Sequence, residues 1–399
     1  MTPSTTTGST SPEPSDPGHG PAARALRAQS LAHGTVGTAL PHIERAHRGL
    51  TSWADAHTLL TSCTKDLLAD ETASLYVGAP AIAFALHTAA RDTGRYTGAL
   101  HALDSRITRL TRQRVHAAHI RIDRQIRPRV GEFDLFYGLT GLGSYLLSRD
   151  PAAPAMREVL TYLVRLTLPL EHDPDQLPGW WTDLDPSGSR TAEFPGGHGN
   201  LGMAHGVGGI LSLLAIAARA GAVVDGQNAA MKRICAWLDR WRQGTETSPW
   251  WPQWITWTEH RTGTVKQTGP LRPSWCYGTP GLARAQQLAA LALGDTDRQR
   301  LAEHALLACL SDPDQLGRIR DAGICHGAAG LLHTTHRVAR DATATGFDAH
   351  LPGLRTLLLK HPADDDGFLD GEAGRALALL TAQTHGATAS GWDACLLSG

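Results

Sequence analysis

Two cysteines and one histidine in this sequence could together bind a metal ion. Cys276 and Cys325 each stand two residues before the first glycine of a recurrent G-x-x-G-like step, and His326 follows Cys325 directly. Two thiolates and one imidazole make a zinc site with three protein ligands, whose open fourth position is typical of catalytic zinc. Soft thiolates also favour zinc over magnesium or calcium. Because a buried cysteine is more often a small apolar side chain, the prediction depends on the two cysteines occupying equivalent positions.

Three other polar residues precede the same kind of step. His205, Arg272 and Asp134 lie one, six and four residues before a first glycine. Beside an open zinc they would supply an acid, a base and an anion-stabilising group. Singly, the histidine or the aspartate could cap a helix and the arginine could be a surface charge. His33 occupies the same position as His205, so position alone does not establish a catalytic role.

The step itself recurs along the whole chain. Its first glycines are Gly34, Gly78, Gly138, Gly206, Gly278, Gly327 and Gly371. Apolar residues at helical spacing follow most copies, as Ile210, Leu213 and Leu214 do. Further helical stripes fill the gaps, so each repeat predicts a helical hairpin whose glycines allow a tight turn and close backbone approach. Seven hairpins can form an open solenoid or a closed ring, and the pattern leaves both open.

Two insertions, in segments 169–193 and 244–270, hold six of the eleven tryptophans. Those six are Trp180, Trp181, Trp250, Trp251, Trp254 and Trp257. The segment Gln253–Thr258 is short and β-prone. These aromatic residues could line a peptide-binding groove or pack loops over the core, and the sequence supports both interpretations equally.

The whole chain predicts a globular protein of near-neutral charge. Hydrophobic residues make up 42%, and 37 basic residues face 38 acidic ones, so nothing suggests nucleic acid or an anionic membrane as partner. Six scattered cysteines are too sparse for a disulfide framework and indicate a reduced, cytoplasmic protein. Neither a signal peptide nor a membrane-spanning run is predicted. Residues 1–22 are rich in Ser, Thr, Pro and Gly and predict disorder, which leaves residues 23–399 as one domain.

Four motifs resemble those of the lanthionine synthetase C-like family. They are Asn200–Gly206, Trp275–Gly281, Cys325–Gly330 and Gly391–Leu397. The similarity runs from about Ser30 to the end, and the cysteine motifs are highly specific to the family. The second repeat departs through Pro80 and Ala81, at a structural turn.

The resemblance implies an all-α fold, an α/α toroid built as a double-layer barrel of seven helical hairpins. It allows loop insertions and one small β-containing insertion, which is SH2-like in some members. It also implies zinc at the mouth of the inner barrel. Cys276, Cys325 and His326 carry over as zinc ligands. His205, Arg272 and Asp134 carry over as catalytic-site candidates, with Tyr277 adjacent.

The implied function is that of a stand-alone lanthipeptide cyclase. Zinc would lower the pKa of a substrate cysteine thiol, and the thiolate would add to dehydroalanine or dehydrobutyrine to form a thioether ring. His205 would move a proton, Arg272 would stabilise the enolate, and Asp134 would orient His205 or Arg272. The implied partners are a dehydrated precursor peptide with its leader and a separate dehydratase.

Three alternatives remain. A related enzyme could add glutathione to dehydroamino acids in proteins, and a non-catalytic scaffold could recruit peptide-modifying enzymes. A toroidal glycoside hydrolase would need paired carboxylates, for which the turns offer only Asp134, Asp370 and Glu372.

Overall fold

The structure is a computed structural model that describes residues 26–363 and 365–399. The segment 1–22, for which the sequence predicts disorder, lies outside these residues. In chain order the helices are α1 Thr35–His47, α2 Ala54–Ser62, α3 Ala79–Ala90, α4 Thr97–Asp123, α5 Val130–Phe133, α6 Leu139–Arg149, α7 Pro154–Leu166, α8 Val207–Arg219, α9 Gln227–Trp241, α10 Trp257–Thr262, α11 Thr279–Leu293, α12 Thr296–Leu310, α13 Pro313–Leu316, α14 Ala328–Asp341, α15 Phe347–Lys360 and α16 Glu372–Ala382. Within the described ranges, no helix is both long and apolar enough to cross a membrane.

Seven inner helices form a closed ring. They are α1, α3, α6, α8, α11, α14 and α16, each of which begins directly after the first glycine of a repeat. Each packs against the next, and α16 packs against α1. A helix enclosed in this way is buried on all sides, as residues 207–215 of α8 show by being buried without a break. The ring confirms the predicted α/α toroid and excludes the open solenoid.

The outer layer consists of the helices that follow the inner ones. Their apolar residues lie on one stripe, as Val159, Leu160 and Leu163 of α7 do, all of which are buried. This periodicity fits a helix with one face on the core and one in water. The seventh repeat differs from the prediction, since no outer helix follows α16 in the described chain.

Backbone hydrogen bonds join neighbouring turns at the end of the ring where the inner helices begin. In six of the seven repeats, the carbonyl of the residue two positions before the first glycine accepts a hydrogen bond from a backbone amide of a neighbouring turn. These acceptors are Ala32, Tyr76, Ala204, Cys276, Cys325 and Leu369. The second glycine of the step allows each turn to fold closely onto the start of its own inner helix: a Cβ on Gly281 would lie 2.0 Å from the carbonyl oxygen of Trp275. The close backbone contact, rather than a positive φ, therefore explains why a glycine stands at this position.

Four short strands form two separate two-stranded antiparallel sheets. Strand β1 (His198–Asn200) pairs with β4 (Trp254–Thr256), while β2 (Gln243–Gly244) pairs with β3 (Pro249–Trp250). Strand β4 lies in the predicted β-prone segment but stops at Thr256, because Thr256 and Glu259 form a capping box that starts α10.

The insertion tryptophans divide between the two interpretations. Trp180, Trp181 and Trp251 are buried, and the indole of Trp251 donates to the carbonyl of Leu238. They pack the loops onto the core. Trp254 is half-buried, and its ring centroid lies 6.3 Å from that of Tyr277.

The last described residues form the floor of the turn-lined mouth. A 3-10 helix spans Trp392–Leu396. The Cys395 carbonyl accepts a hydrogen bond from Tyr76 Oη at 3.0 Å, and the Leu396 carbonyl accepts one from Trp275 Nε1 at 3.0 Å. Both donors lie in repeat turns, so this segment helps to fix the position of the turns.

Candidate metal and active site

Cys276, Cys325 and His326 come together at the mouth of the ring. Their candidate ligand atoms all lie within 4.8 Å of one another. The cause is local: the amide of Cys276 donates to the carbonyl of Cys325 at 3.2 Å, which places two equivalent turns side by side. The cluster is largely buried, with the His326 side chain 33% exposed.

The two thiols of the cluster differ sharply in acidity. A hydrogen bond from Cys325, with further contributions from His326 and Ser274, holds the pKa of Cys276 well below its usual range. The same hydrogen bond, together with burial, raises the pKa of Cys325. Elsewhere burial raises the pKa of Cys235 to about 11 and of Cys309 to about 12. Thiolate character is therefore concentrated on Cys276, and the thiolate is the form of cysteine that binds a metal.

This donor set suits zinc. Two sulfurs and one imidazole nitrogen are typical zinc ligands, and three protein ligands leave one position for a water or a substrate atom. The residues present therefore fit the metal that the sequence predicts.

His205 forms a pair with Asp134 at the same mouth. Nδ1 of His205 lies 2.6 Å from Oδ2 of Asp134, whose side chain is fully buried. The other carboxylate oxygen, Oδ1, accepts from the amides of Tyr137 and Gly138 at 2.7 and 2.8 Å. Because a carboxylate accepts hydrogen bonds, this contact puts the proton on Nδ1 and leaves Nε2 free to exchange a proton.

Aromatic rings surround His205. The centroids of Phe136, Tyr137 and Tyr277 lie 4.8, 6.0 and 6.3 Å from that of the imidazole. Tyr277, the neighbour of Cys276 in the chain, accepts a hydrogen bond at its hydroxyl from Asn200 Nδ2 at 3.2 Å. Burial raises the pKa of Tyr277 to about 12, so its hydroxyl keeps its proton at neutral pH. The rings connect His205 with the turn that carries Cys276.

Arg272 is held near His326 by an aspartate, Asp321. Its Nη1 donates to Oδ2 of Asp321 at 3.2 Å, and the same oxygen lies 3.9 Å from Nε2 of His326. The sequence left open whether Asp134 orients His205 or Arg272; in the structure Asp134 contacts His205, and Arg272 pairs with Asp321.

The sequence and the fold both relate the chain to known proteins. The sequence matches the family described as lanthionine synthetase C-like protein over residues 27–397. The chain belongs to this family. It is 25% identical over 316 residues to the nisin biosynthesis protein NisC of Lactococcus lactis subsp. lactis, covering 77% of this chain and 73% of that protein. A solved structure of nisin cyclase shares its fold, with a TM-score of 0.77 at 23% identity over 94% of this chain and 93% of that one.

Sequence reasoning missed two polar residues of this lanthionine synthetase C-like chain. Asn200 and Asp321 each stand six residues before a first glycine, and each begins an Asx-x-Gly sequence. Their Oδ1 atoms accept from the amides of Gly202 and Gly323 at 3.0 and 2.9 Å. The recurrence of Asx-x-Gly in register with the glycine step was the signal that could have found them.

Replacing Asp134 by Asn is expected to lower the rate of any reaction that uses His205 by about 100-fold or more, because amide replacement in a carboxylate–histidine pair favours the wrong tautomer. Asparagine keeps an oxygen for the amides of Tyr137 and Gly138, so the turn should persist. Turnover of Asp134→Asn, measured beside its thermal unfolding midpoint, checks this. A rate equal to that of the native chain would show that Asp134 only builds the turn.

Proposed function

We propose that this chain is a zinc-dependent lanthipeptide cyclase. It would add cysteine thiolates of a precursor peptide to dehydroalanine or dehydrobutyrine in the same peptide, forming lanthionine or methyllanthionine rings. The observation that carries the proposal is the Cys276–Cys325–His326 cluster placed beside the Asp134–His205 pair. Membership of the lanthionine synthetase C-like family supports the same reaction.

Cys276, Cys325 and His326 would hold the zinc ion. Bound there, zinc would supply the charge that lowers the pKa of the substrate thiol. Side chains of the protein would carry out the proton transfer and stabilise the charge that develops on the peptide.

His205 has the geometry of a proton-transfer group. Nε2 would take the proton of the substrate thiol or deliver a proton to the α-carbon after the sulfur has bonded to the β-carbon. The Asp134 carboxylate stabilises the imidazolium in either case. Atoms balance without any further reactant, since the thiol hydrogen ends on the α-carbon and the mass of the peptide does not change.

Arg272 and Tyr277 would act on the peptide carbonyl. Addition of sulfur to the β-carbon places negative charge on that carbonyl oxygen. A guanidinium and a protonated phenol can both donate to it. In this proposal the Asp321 carboxylate holds Arg272 at the mouth, and Asn200 holds the Tyr277 hydroxyl.

A cavity of about 970 Å³ adjoins His205 and Asp134. One wall comes from residues 126–134 and the other from Thr182 and the loop 184–188. Its size lies at the upper end of the range for small-molecule pockets, about 300–1,000 Å³, so it would hold a short stretch of extended peptide beside His205. The substrate would reach it already dehydrated, which makes a separate dehydratase the expected partner.

The direct test is ring closure on a dehydrated, leader-bearing precursor peptide. We expect the zinc-loaded chain to consume peptide thiols, counted by alkylation, while the mass of the peptide stays constant. A parallel reaction offers glutathione and a dehydrated protein. Preference for glutathione would replace the proposal with the glutathione-adding enzyme, and no thiol loss in either reaction would favour the scaffold.

A further inference from the structure

Three repeats share one turn built on an Asx side chain. Asn200, Asp321 and Asp365 each lie six residues before a first glycine. In each, Oδ1 accepts from the amide two residues later, at 3.0, 2.9 and 2.7 Å. A Cβ on Gly327 or Gly371 would lie 2.1 Å from Oδ1 of the aspartate in its own repeat. In these three repeats an Asx oxygen supports the turn, and the uncharged Asn200 shows that this role needs no charge.

Asp321 differs from Asp365 in what its second oxygen contacts. Oδ2 of Asp321 accepts from Arg272 at 3.2 Å and lies 3.9 Å from Nε2 of His326, and the side chain is 14% exposed. Among the residues that the structure describes, Asp365 forms no salt bridge. Both aspartates thus stabilise their own turns, and of the two only Asp321 also contacts Arg272 and lies near His326.

We propose that Asp321 is a positioning residue that fixes Arg272 beside the metal-binding cluster and offsets its charge there. One carboxylate oxygen builds the turn that leads to Cys325 and His326, and the other holds the guanidinium. The inference rests on the proposed function, because it assigns Arg272 to the zinc site.

The charges explain why this placement matters. A guanidinium opposes the binding of a divalent cation nearby, and the effect is strong in a partly buried site. Asp321 compensates that charge through a charge-assisted hydrogen bond and adds a negative charge beside His326. Arg272 can then remain at the mouth without weakening metal binding.

The test compares Asp321→Asn with Asp365→Asn. Asparagine keeps Oδ1 for the turn in both and removes the charge. Zinc affinity, measured by competition with a chromophoric chelator, should fall about 10- to 100-fold for Asp321→Asn, the range for partners behind metal ligands. It should stay within about twofold of native for Asp365→Asn.

A second measurement separates charge compensation from a purely structural effect. Arg272→Gln should raise zinc affinity at least about threefold more in the Asp321→Asn background than in the native chain, because contacting charges are coupled. A damaged turn would not be repaired by removing the arginine. Equal effects in the two backgrounds, or equal zinc affinities of the two Asp→Asn variants, would overturn the inference. The zinc measurements need no substrate, so a chain that binds zinc in this pattern and closes no rings would refute the proposed function alone.

Discussion

Replacing Cys325 by Ala is expected to weaken zinc binding at least about 100-fold, since even partners behind the ligands contribute about 10- to 100-fold. The substitution removes one of three protein ligands and leaves Cys276 without the thiol that lowers its pKa. Ring closure should fall with the metal. Zinc affinity and thiol consumption, measured on the same preparation, check both effects.

Cys235→Ala is the matched control for this prediction. Cys235 is a buried thiol on α9, away from the repeat turns, and burial raises its pKa. Its variant should bind zinc and close rings as the native chain does. If Cys325→Ala kept native zinc affinity, the assignment of the cluster as the metal site would be wrong.

The second large effect is expected for His205→Asn. Asparagine cannot exchange a proton near neutral pH, so ring closure should slow by about 10²- to 10⁴-fold, the usual contribution of a general acid or base. The three proposed metal ligands are unchanged, and zinc content should remain native. The measurements are single-turnover thiol loss and elemental zinc on one sample.

His33→Asn supplies a control at the same position of the turn. His33 precedes the first glycine of repeat one just as His205 precedes that of repeat four. Its nearest carboxylate is Asp370, at 4.0 Å, and it makes no contact comparable to the 2.6 Å pair of His205. We expect His33→Asn to retain the native rate. Equal losses in the two variants would mean that a histidine in this position supports the turn only.

The repeat register made much of this fold predictable from the sequence. Because the glycine step recurs in register, it located the start of every inner helix and identified Cys276 and Cys325 as equivalent residues. The sequence also singled out His205 and Asp134, whose side chains the structure places in contact. Local patterns sufficed here because each repeat is one helical unit that packs on its neighbours.

Side-chain contacts between repeats could not be predicted in this way. The contact of Arg272 with Asp321 spans two repeats, and nothing local to Arg272 specifies it. The floor made by Trp392–Leu396 is also a long-range feature. The side chains that donate hydrogen bonds to its carbonyls, those of Tyr76 and Trp275, are distant from it in sequence. A one-dimensional pattern does not specify which repeats meet, whereas backbone hydrogen bonds between turns do.

Zinc content of the purified native chain shows whether the Cys276–Cys325–His326 cluster binds a metal. We expect about one zinc per chain by elemental analysis, after purification without chelators or after zinc has been supplied, in line with a three-ligand site. A folded native chain that holds no zinc after reconstitution would contradict the zinc-dependent mechanism and favour a scaffold without catalysis.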